Sequence, residues 1–261
     1  MSTISVEHAV RLVIDEMHVY LGQDLTLDDM ARTAMFSKFH FTRVFREVTG
    51  TSPRRFLSAL RMQEAKHLLV NTECSVADIS SQVGYSSVGT FSSRFKSCVG
   101  VSPSRYRELD GNGTALHPEA SPTTTSNGTR SSLSLRGRVV LPGDRALGQV
   151  FVGLFPGSIP QGRPVRHTLM NGPGLFELQD VPPGTWYVLA HSVPYGTEAP
   201  DGGLPGGPDL LSVGRYGPVS VRPGVLAMPA DIVLHPAGPL DPPVLIALPG
   251  ENTGAAVPAA A

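Results

Sequence analysis

The stretch FTRVFREVTGTSPRRF, Phe41 to Phe56, returns fifty residues later as FSSRFKSCVGVSPSRY, Phe91 to Tyr106. Aligned without gaps, Phe41, Phe45, Gly50, Ser52, Pro53 and Arg55 recur as Phe91, Phe95, Gly100, Ser102, Pro103 and Arg105, while Arg46 and Phe56 recur as Lys96 and Tyr106. Repetition within one chain indicates one structural unit used twice. The first 109 residues must therefore accommodate two copies of the same helix and exit turn. Around both copies the apolar residues recur at three and four, and before Leu109 proline occurs only at Pro53 and Pro103, where each suits the first turn of a helix.

This spacing predicts seven helices. Val6 to Leu21 carries apolar residues at 6, 9, 10, 13, 14, 17 and 21, one stripe of an amphipathic helix. Thr26 caps a short helix, Leu27 to Thr33, and a second runs from Ser37 to Val48 and ends at Gly50, which makes a helix-turn-helix. Pro53 opens a long helix to about Asn71. Ser75 caps the next short helix, a turn follows at Gly84, the second copy of the repeat runs from Ser87 to Val99, and a last helix starts near Pro103. Phe41, Phe45 and Val48 share one face and leave Phe39, His40, Thr42, Arg43 and Arg46 outward. Phe91, Phe95 and Cys98 or Val99 do the same in the second copy, leaving Val88, Gly89, Ser92, Ser93 and Lys96 outward. The repeated letters are scaffold, and the letters that differ are free to read a partner.

Charge divides along the chain. Residues 1–109 hold 13 Lys and Arg against 11 Asp and Glu, net +2, whereas residues 110–261 hold 8 Arg, no Lys and 11 Asp and Glu, net −3. Between Lys38 and Lys66 stand Lys38, Arg43, Arg46, Arg54, Arg55, Arg61 and Lys66 against Glu47 and Glu64, a local excess that attracts phosphate.

The segment LRMQEAKHLLVNTECSVADISSQVGYSSVGTFSSRFKSCVGVSPSRYREL, Leu60 to Leu109, resembles the signature of the AraC/XylS family of bacterial transcription regulators, and LTLDDMARTAMFSKFHFTRVFREVTGTSP resembles that family's first helix-turn-helix. The resemblance covers residues 5–109. It implies double-stranded promoter DNA as partner, with two recognition helices in successive major-groove segments. A connecting helix of about 18 residues spans roughly 27 Å, comparable to the ~34 Å of one DNA turn. Residue chemistry assigns the roles. The planar fork of Arg43 suits guanine, Thr42 and Phe39 suit base edges or a thymine methyl, and His40 a base or a phosphate. Arg46 and Lys96 suit phosphate. Val88, Gly89 and Ser93 stand where the family often carries polar readers, so the second unit is expected to grip through Ser92, Ser93 and Lys96 on the backbone and Val88 against a methyl group.

From Asp110 to Ser132, 16 of 23 residues are Gly, Ser, Thr, Pro or Asn, the composition of a flexible linker. Short alternating runs then predict an all-β, seven-stranded sandwich over residues 133–235, and a Pro- and Ala-rich stretch, 236–261, reads as a disordered tail. GPGLFELQDVPPGTWYVLA and LRGRVVLPGDRALGQVFVGLF resemble carboxypeptidase regulatory-like domains, which implies a transthyretin-like β-sandwich and no peptidase activity. The Gly/Pro-rich run from Tyr195 to Leu211 is expected as an inter-strand loop. The fold class is thus multidomain, an all-α double helix-turn-helix followed by an all-β sandwich.

His117, His167, His191 and His235 show no metal-ligand spacing, and no G-x-S-x-G is present, so neither an enzyme nor a metal or cofactor site is expected. No apolar run approaches a membrane span, no secretory start precedes Ala31, and two isolated cysteines, Cys74 and Cys98, fit a reducing compartment. The expectation is a cytoplasmic regulator with no membrane partner. RNA polymerase, and a small molecule or protein on the sandwich, are the further partners this reading allows. With the DNA-binding half first and a loose linker after it, residues 1–109 are expected to bind DNA alone, without rigid coupling to the sandwich, which is expected to change oligomerisation or partner contact more than groove geometry. The competing reading makes the sandwich a ligand- or protein-binding module with weak auxiliary DNA binding.

Overall fold

The computed structural model describes residues 5–111, 133–143, 148–192, 211–225 and 227–246. Helices α1 (Val6–Val19), α2 (Leu27–Thr33), α3 (Lys38–Thr49), α4 (Pro53–Asn71), α5 (Val76–Gln82), α6 (Val88–Val99) and α7 (Pro103–Glu108) form the first region. Their starts follow the capping chemistry of the sequence. The Ser5, Ser37, Ser87 and Ser102 hydroxyls each accept a backbone N–H of the first turn, and Thr26 and Ser75 form reciprocal capping boxes with Asp29 and Asp78. Pro53 and Pro103 open α4 and α7, where no helical N–H is lost.

Two cores lie along α4. Phe41, Phe45 and Phe56 pack with Val10, Ile14 and Met17 of α1. Phe91, Phe95 and Tyr106 pack with Met62, Leu69 and Ile79. The repeat is thus reproduced in ring geometry. Phe41–Phe45 and Phe45–Phe56 centroids are both 5.5 Å apart, and Phe91–Phe95 and Phe95–Tyr106 are 5.8 and 5.5 Å apart. Both Cys98 and Val99 are buried, and Val44 joins Phe41 and Phe45 in the first core.

The second region is β-rich and has two sheets. Strands β1 (Leu135–Val140), β4 (Gly174–Leu178) and β7 (Ile232–Val233) form one, in the order β4-β1-β7. Strands β3 (Arg166–Asn171), β2 (Gln149–Phe155), β5 (Gly184–Ser192), β6 (Ser212–Val221) and β8 (His235–Pro236) form the other, in the order β3-β2-β5-β6-β8. Leu135, Val139, Phe176 and Ile232 of the first sheet share a buried cluster with Val152, Val188 and Val219 of the second. The short stretch Ile232–Pro236 serves both sheets, with Ile232 beside Val139 and His235 beside Val213. The first inward positions of strand β6 are Ser212 and Gly214, too small to register as apolar alternation in the sequence. An added Cβ on Gly214 would lie 2.6 Å from Ile232 Cγ2, so close packing requires the small residue.

Two expectations are corrected here. Residues 236–246 are not a loose tail: Val244, Leu245 and Ile246 are buried. Alternation along this extended piece sends Val244 and Ile246 onto the outer face of the five-stranded sheet, with Phe151, Phe155 and Leu189, and sends Leu245 into the second helical core, beside Ile159. Leu240 packs on the first helical core. Nor are the two regions uncoupled. The Arg215 guanidinium donates to the carbonyls of Thr49 and Val48 at the end of α3. The Gly162 N–H donates to Cys98 O at the end of α6, and Lys66 Nζ on α4 donates to Leu245 O at 3.4 Å. The stretch expected as a linker lies outside the described residues beyond Gly111, as do 193–210 of the expected loop and 247–261 of the expected tail.

Candidate nucleic-acid interface

Helices α3 and α6 start and stop in the same way. Ser37 Oγ accepts from His40 N–H and Ser87 Oγ from Thr90 N–H, both at 3.4 Å. Gly50 and Gly100 end the helices with φ of 77° and 103°, backbone that side chains other than glycine rarely adopt. Equal frames place equal positions outward. Phe39, Arg43 and Arg46 run along α3 at i, i+4 and i+7, and Gly89, Ser93 and Lys96 occupy the corresponding stripe on α6.

On α3 Phe39 is 91% exposed. Arg43 Nη1 lies 2.7 Å from Glu47 Oε1, and Nη2 lies 3.3 Å from His40 Nδ1. An exposed i,i+4 pair of this kind contributes only about 0.3–0.5 kcal/mol, so the guanidinium is held ready and is easily released. The His40 ring meets Phe36 edge-on, with centroids 4.7 Å apart. Thr42 is half-buried and its hydroxyl donates to Lys38 O at 2.8 Å, so that hydroxyl is already engaged. On α6, Val88, Gly89, Ser93 and Lys96 are exposed and Ser92 is half-buried. A Cβ on Gly89 would meet only Ser87 Oγ, at 3.7 Å, so internal packing does not explain the glycine. Arg46 and Lys96 have no ion-pair partner among the described residues. All ten predicted residues therefore lie on α3 or α6, eight exposed and two half-buried.

The basic run is smaller than the sequence suggested. Arg61 donates to the carbonyls of Leu21 (2.9 Å), Gln23 (2.7 Å) and Gly84 (3.4 Å), tying the two helix-turn-helix units together. Lys66 is buried, with Nζ 5.8 Å from the Tyr106 ring centroid, and burial pushes its ammonium down to about 8. Neither faces solvent as a phosphate ligand. Lys38 pairs with Asp28 at 2.6 Å across the first turn. Arg43, Arg46, Arg54 and Arg55 remain as exposed cations.

Sequence reasoning missed the cations that the β-rich region brings to both helix ends. Arg215 caps α3, and Arg163 lies with Ser93, Lys96, Ser97, Gly100 and Gly162 around a cleft of about 480 Å³ at the end of α6. Nothing local in PQGRPV or VGRYG marks either arginine, since each is placed by contacts over a hundred or more residues of sequence or by a loop from the other region. Among the described residues no cluster of His, Cys, Asp and Glu is arranged to hold a metal, and no helix is long and apolar enough to cross a membrane.

Comparison with known proteins gives this surface its context. A family model described as a helix-turn-helix domain matches residues 30–109. The HTH-type transcriptional activator AarP of Providencia stuartii is 35% identical over 102 residues, which cover 38% of this chain and 76% of AarP. The chain belongs to the AraC family of helix-turn-helix regulators. Another AraC-type relative, the Msm operon regulatory protein of Streptococcus mutans, is 33% identical over 107 residues, 41% of this chain and 38% of that protein. The chain thus spans little more than a third of such relatives. A solved structure, the DNA-binding domain of AdpA in complex with a target DNA, is 27% identical, covering 39% of this chain and 91% of that one with a TM-score of 0.38. The family model's match falls entirely on the helical region.

Proposed function

We propose that this AraC-family chain is a sequence-specific DNA-binding transcription regulator that presents α3 and α6 to adjacent major-groove segments of one duplex. The observation that carries this reading is the pair of identically framed, open helices: the same caps, the same ring stacks, and an uncovered outward stripe on each. In this reading Arg43 swings from Glu47 to a guanine, Phe39 and Thr42 contact base edges or a methyl group, His40 a base or phosphate, and Arg46 a phosphate. On α6, Ser92, Ser93 and Lys96 meet the backbone, Val88 a methyl group, and the bare backbone at Gly89 admits close approach of the duplex. A 19-residue α4 sets the two helices roughly 28 Å apart along its axis.

The β-rich region is read as a transthyretin-like sandwich, a proposal supported by the single core that both sheets share. Its task in this reading is to bind a protein or small molecule and transmit that event to the helices, with RNA polymerase as the expected target of a bound regulator in the cytoplasm. Selection of bound sequences from random DNA tests the function directly. Arg43→Ala should lower affinity for the selected site by about 1–3 kcal/mol and relax preference at one base pair, whereas Lys96→Ala should weaken all sequences alike. Equal losses on selected and random DNA for both variants would refute the division of labour.

A further inference from the structure

We infer that the β-rich region contributes a DNA-backbone contact of its own: Arg163, with Lys96, Ser93 and Ser97, forms a phosphodiester site at the end of α6. The inference rests on the DNA-binding reading above and adds to it a partner contact from outside the helix-turn-helix. Three observations support it. The loop bearing Arg163 is anchored to α6 and does not merely hang near it: the Gly162 N–H donates to Cys98 O, and the Cys98 thiol donates to Gln161 Oε1 at 3.3 Å. The cleft it forms is lined by one lysine, one arginine, two serines and two glycines, with no carboxylate. Finally, neither Lys96 nor Arg163 has an ion-pair partner among the described residues. Two unpaired cations beside two hydroxyls in one concave surface are complementary to an anion with several acceptor oxygens.

The position selects DNA as the source of that anion. Lys96 closes the stripe Gly89–Ser93–Lys96, so the cleft continues the surface that faces the duplex. It also stands where α6 lacks something α3 has: Ser93 occupies the place equivalent to Arg43. The second unit has no arginine on its own stripe, and Arg163 supplies a guanidinium from another part of the chain. The matching end of α3 also receives an arginine from the β-rich region, but Arg215 spends its donors on Thr49 and Val48 carbonyls, whereas Arg163 has no ion-pair partner among the described residues.

The test uses the full chain and a duplex selected from random DNA, with affinity measured from 50 to 200 mM NaCl. Neutralising one phosphate contributes about 0.9 to the slope of log K against log salt, so the advantage of the parent over Arg163→Ala should shrink about threefold across that range. Base preferences should not change, and Arg163→Lys should restore most of the slope. Among the described residues the Arg163 side chain makes no hydrogen bond, so the melting temperature should stay within about a degree or two. An unchanged slope for Arg163→Ala beside a reduced slope for Lys96→Ala overturns the inference and leaves the DNA-binding reading standing. Loss of preference in Arg43→Ala is the separate check on that reading, and if Arg43→Ala also changes nothing, both fall. In a parallel arm inorganic phosphate is titrated without DNA. Saturable shifts of the Gly100 and Gly162 amides together with an unchanged DNA slope would assign the cleft to a free anion and overturn the inference.

Discussion

Replacing Leu245 by Ala tests whether the helical and β-rich regions form one folded body. The Leu245 side chain is fully buried, 0% exposed, in the core that holds Phe91, Phe95, Met62 and Tyr106. It comes from a segment whose next residues on either side, Val244 and Ile246, are buried against the five-stranded sheet. Truncation removes buried methyl groups and leaves a cavity, a change that costs about 2–5 kcal/mol when the surroundings cannot collapse. Here collapse is limited, because the backbone is pinned on both sides: Leu245 N–H donates to Pro160 O at 2.9 Å and its carbonyl accepts from Lys66. A loss in the middle of that range is therefore expected. At a urea slope of about 2–3 kcal/mol per molar, the unfolding midpoint should fall by roughly 1 M.

The chain carries two separate reporters for this measurement. Ellipticity at 222 nm follows the helices, all of which lie before residue 112 among the described residues, and the single tryptophan, Trp186, lies on β5 in the other region. If the regions fold together, both signals change at one urea concentration in the parent chain, and Leu245→Ala moves both by the same amount. A parent chain with two separate transitions, or a variant that shifts fluorescence while the helical transition stays still, would refute the coupling. The same measurement bears on residues 1–109 as an isolated fragment, which lacks both Ile159 and Leu245 and so should be less stable than the single variant in its second helix-turn-helix.

Three other outcomes follow from buried or open positions. Lys66 is pushed down to about 8 from 10.5, so between those values the unfolded chain binds the proton that the folded chain refuses. Stability therefore rises with pH from about 8 to 10.5 by about 3 kcal/mol, and Lys66→Met should remove that rise and stabilise the chain at neutral pH by about 1–3 kcal/mol in urea titrations. His191 is buried in contact with Phe151, ring centroids 4.8 Å apart, and burial with a smaller contribution from the Lys66 charge pushes it down to about 4. Stability should fall by about 3 kcal/mol as pH drops from 6.5 to 4, and His191→Phe should flatten that slope, as read by thermal melts across the range. Gly89→Ala should raise the melting temperature slightly, by up to about 1 kcal/mol of helix propensity. The same change should weaken DNA binding severalfold, since the new methyl group faces only the space proposed for the duplex; unaltered affinity would remove Gly89 from the interface.

The helical region was legible because its signals are local. A serine, threonine or proline at each start, a glycine at the end of α3 and α6, and rings at i and i+4 fix where helices run and which face they bury. The outward stripes on α3 and α6 follow directly, so the exposed positions of both helices were readable residue by residue. Charge was not, because a cation's burial depends on what packs over it: Arg61 and Lys66 read as part of a basic face, yet one ties loops together and the other lies under Leu245. The segment 236–246 was misread for the same reason. Its apolar residues are few and flanked by prolines, and only the presence of two surfaces, one on each side, gives Val244, Leu245 and Ile246 somewhere to be buried. Strand β6 escaped notice where Ser212 and Gly214 take inward positions normally marked by larger apolar side chains.

The arrangement also changes what the order of the regions means for control. A loosely tethered accessory region can alter only local concentration or oligomeric state, whereas this one holds the C-terminal ends of both candidate recognition helices. Arg215 engages the last carbonyls of α3, beside the glycine that ends it, and Gly162 engages α6 at Cys98. Both contacts leave the outward stripes uncovered, so the described arrangement is open to a duplex. Any event that shifts the five-stranded sheet relative to α4 must then move, or release, the ends of both helices together, because Arg215 lies on β6 and Gly162 in the β2–β3 connection of that same sheet. A ligand that prefers one placement of the sheet over another would thereby act on both helix ends at once, with an effect limited by its difference in affinity for the two placements. The repeat that supplies two outward stripes supplies two equivalent helix ends as well, and the second region holds both.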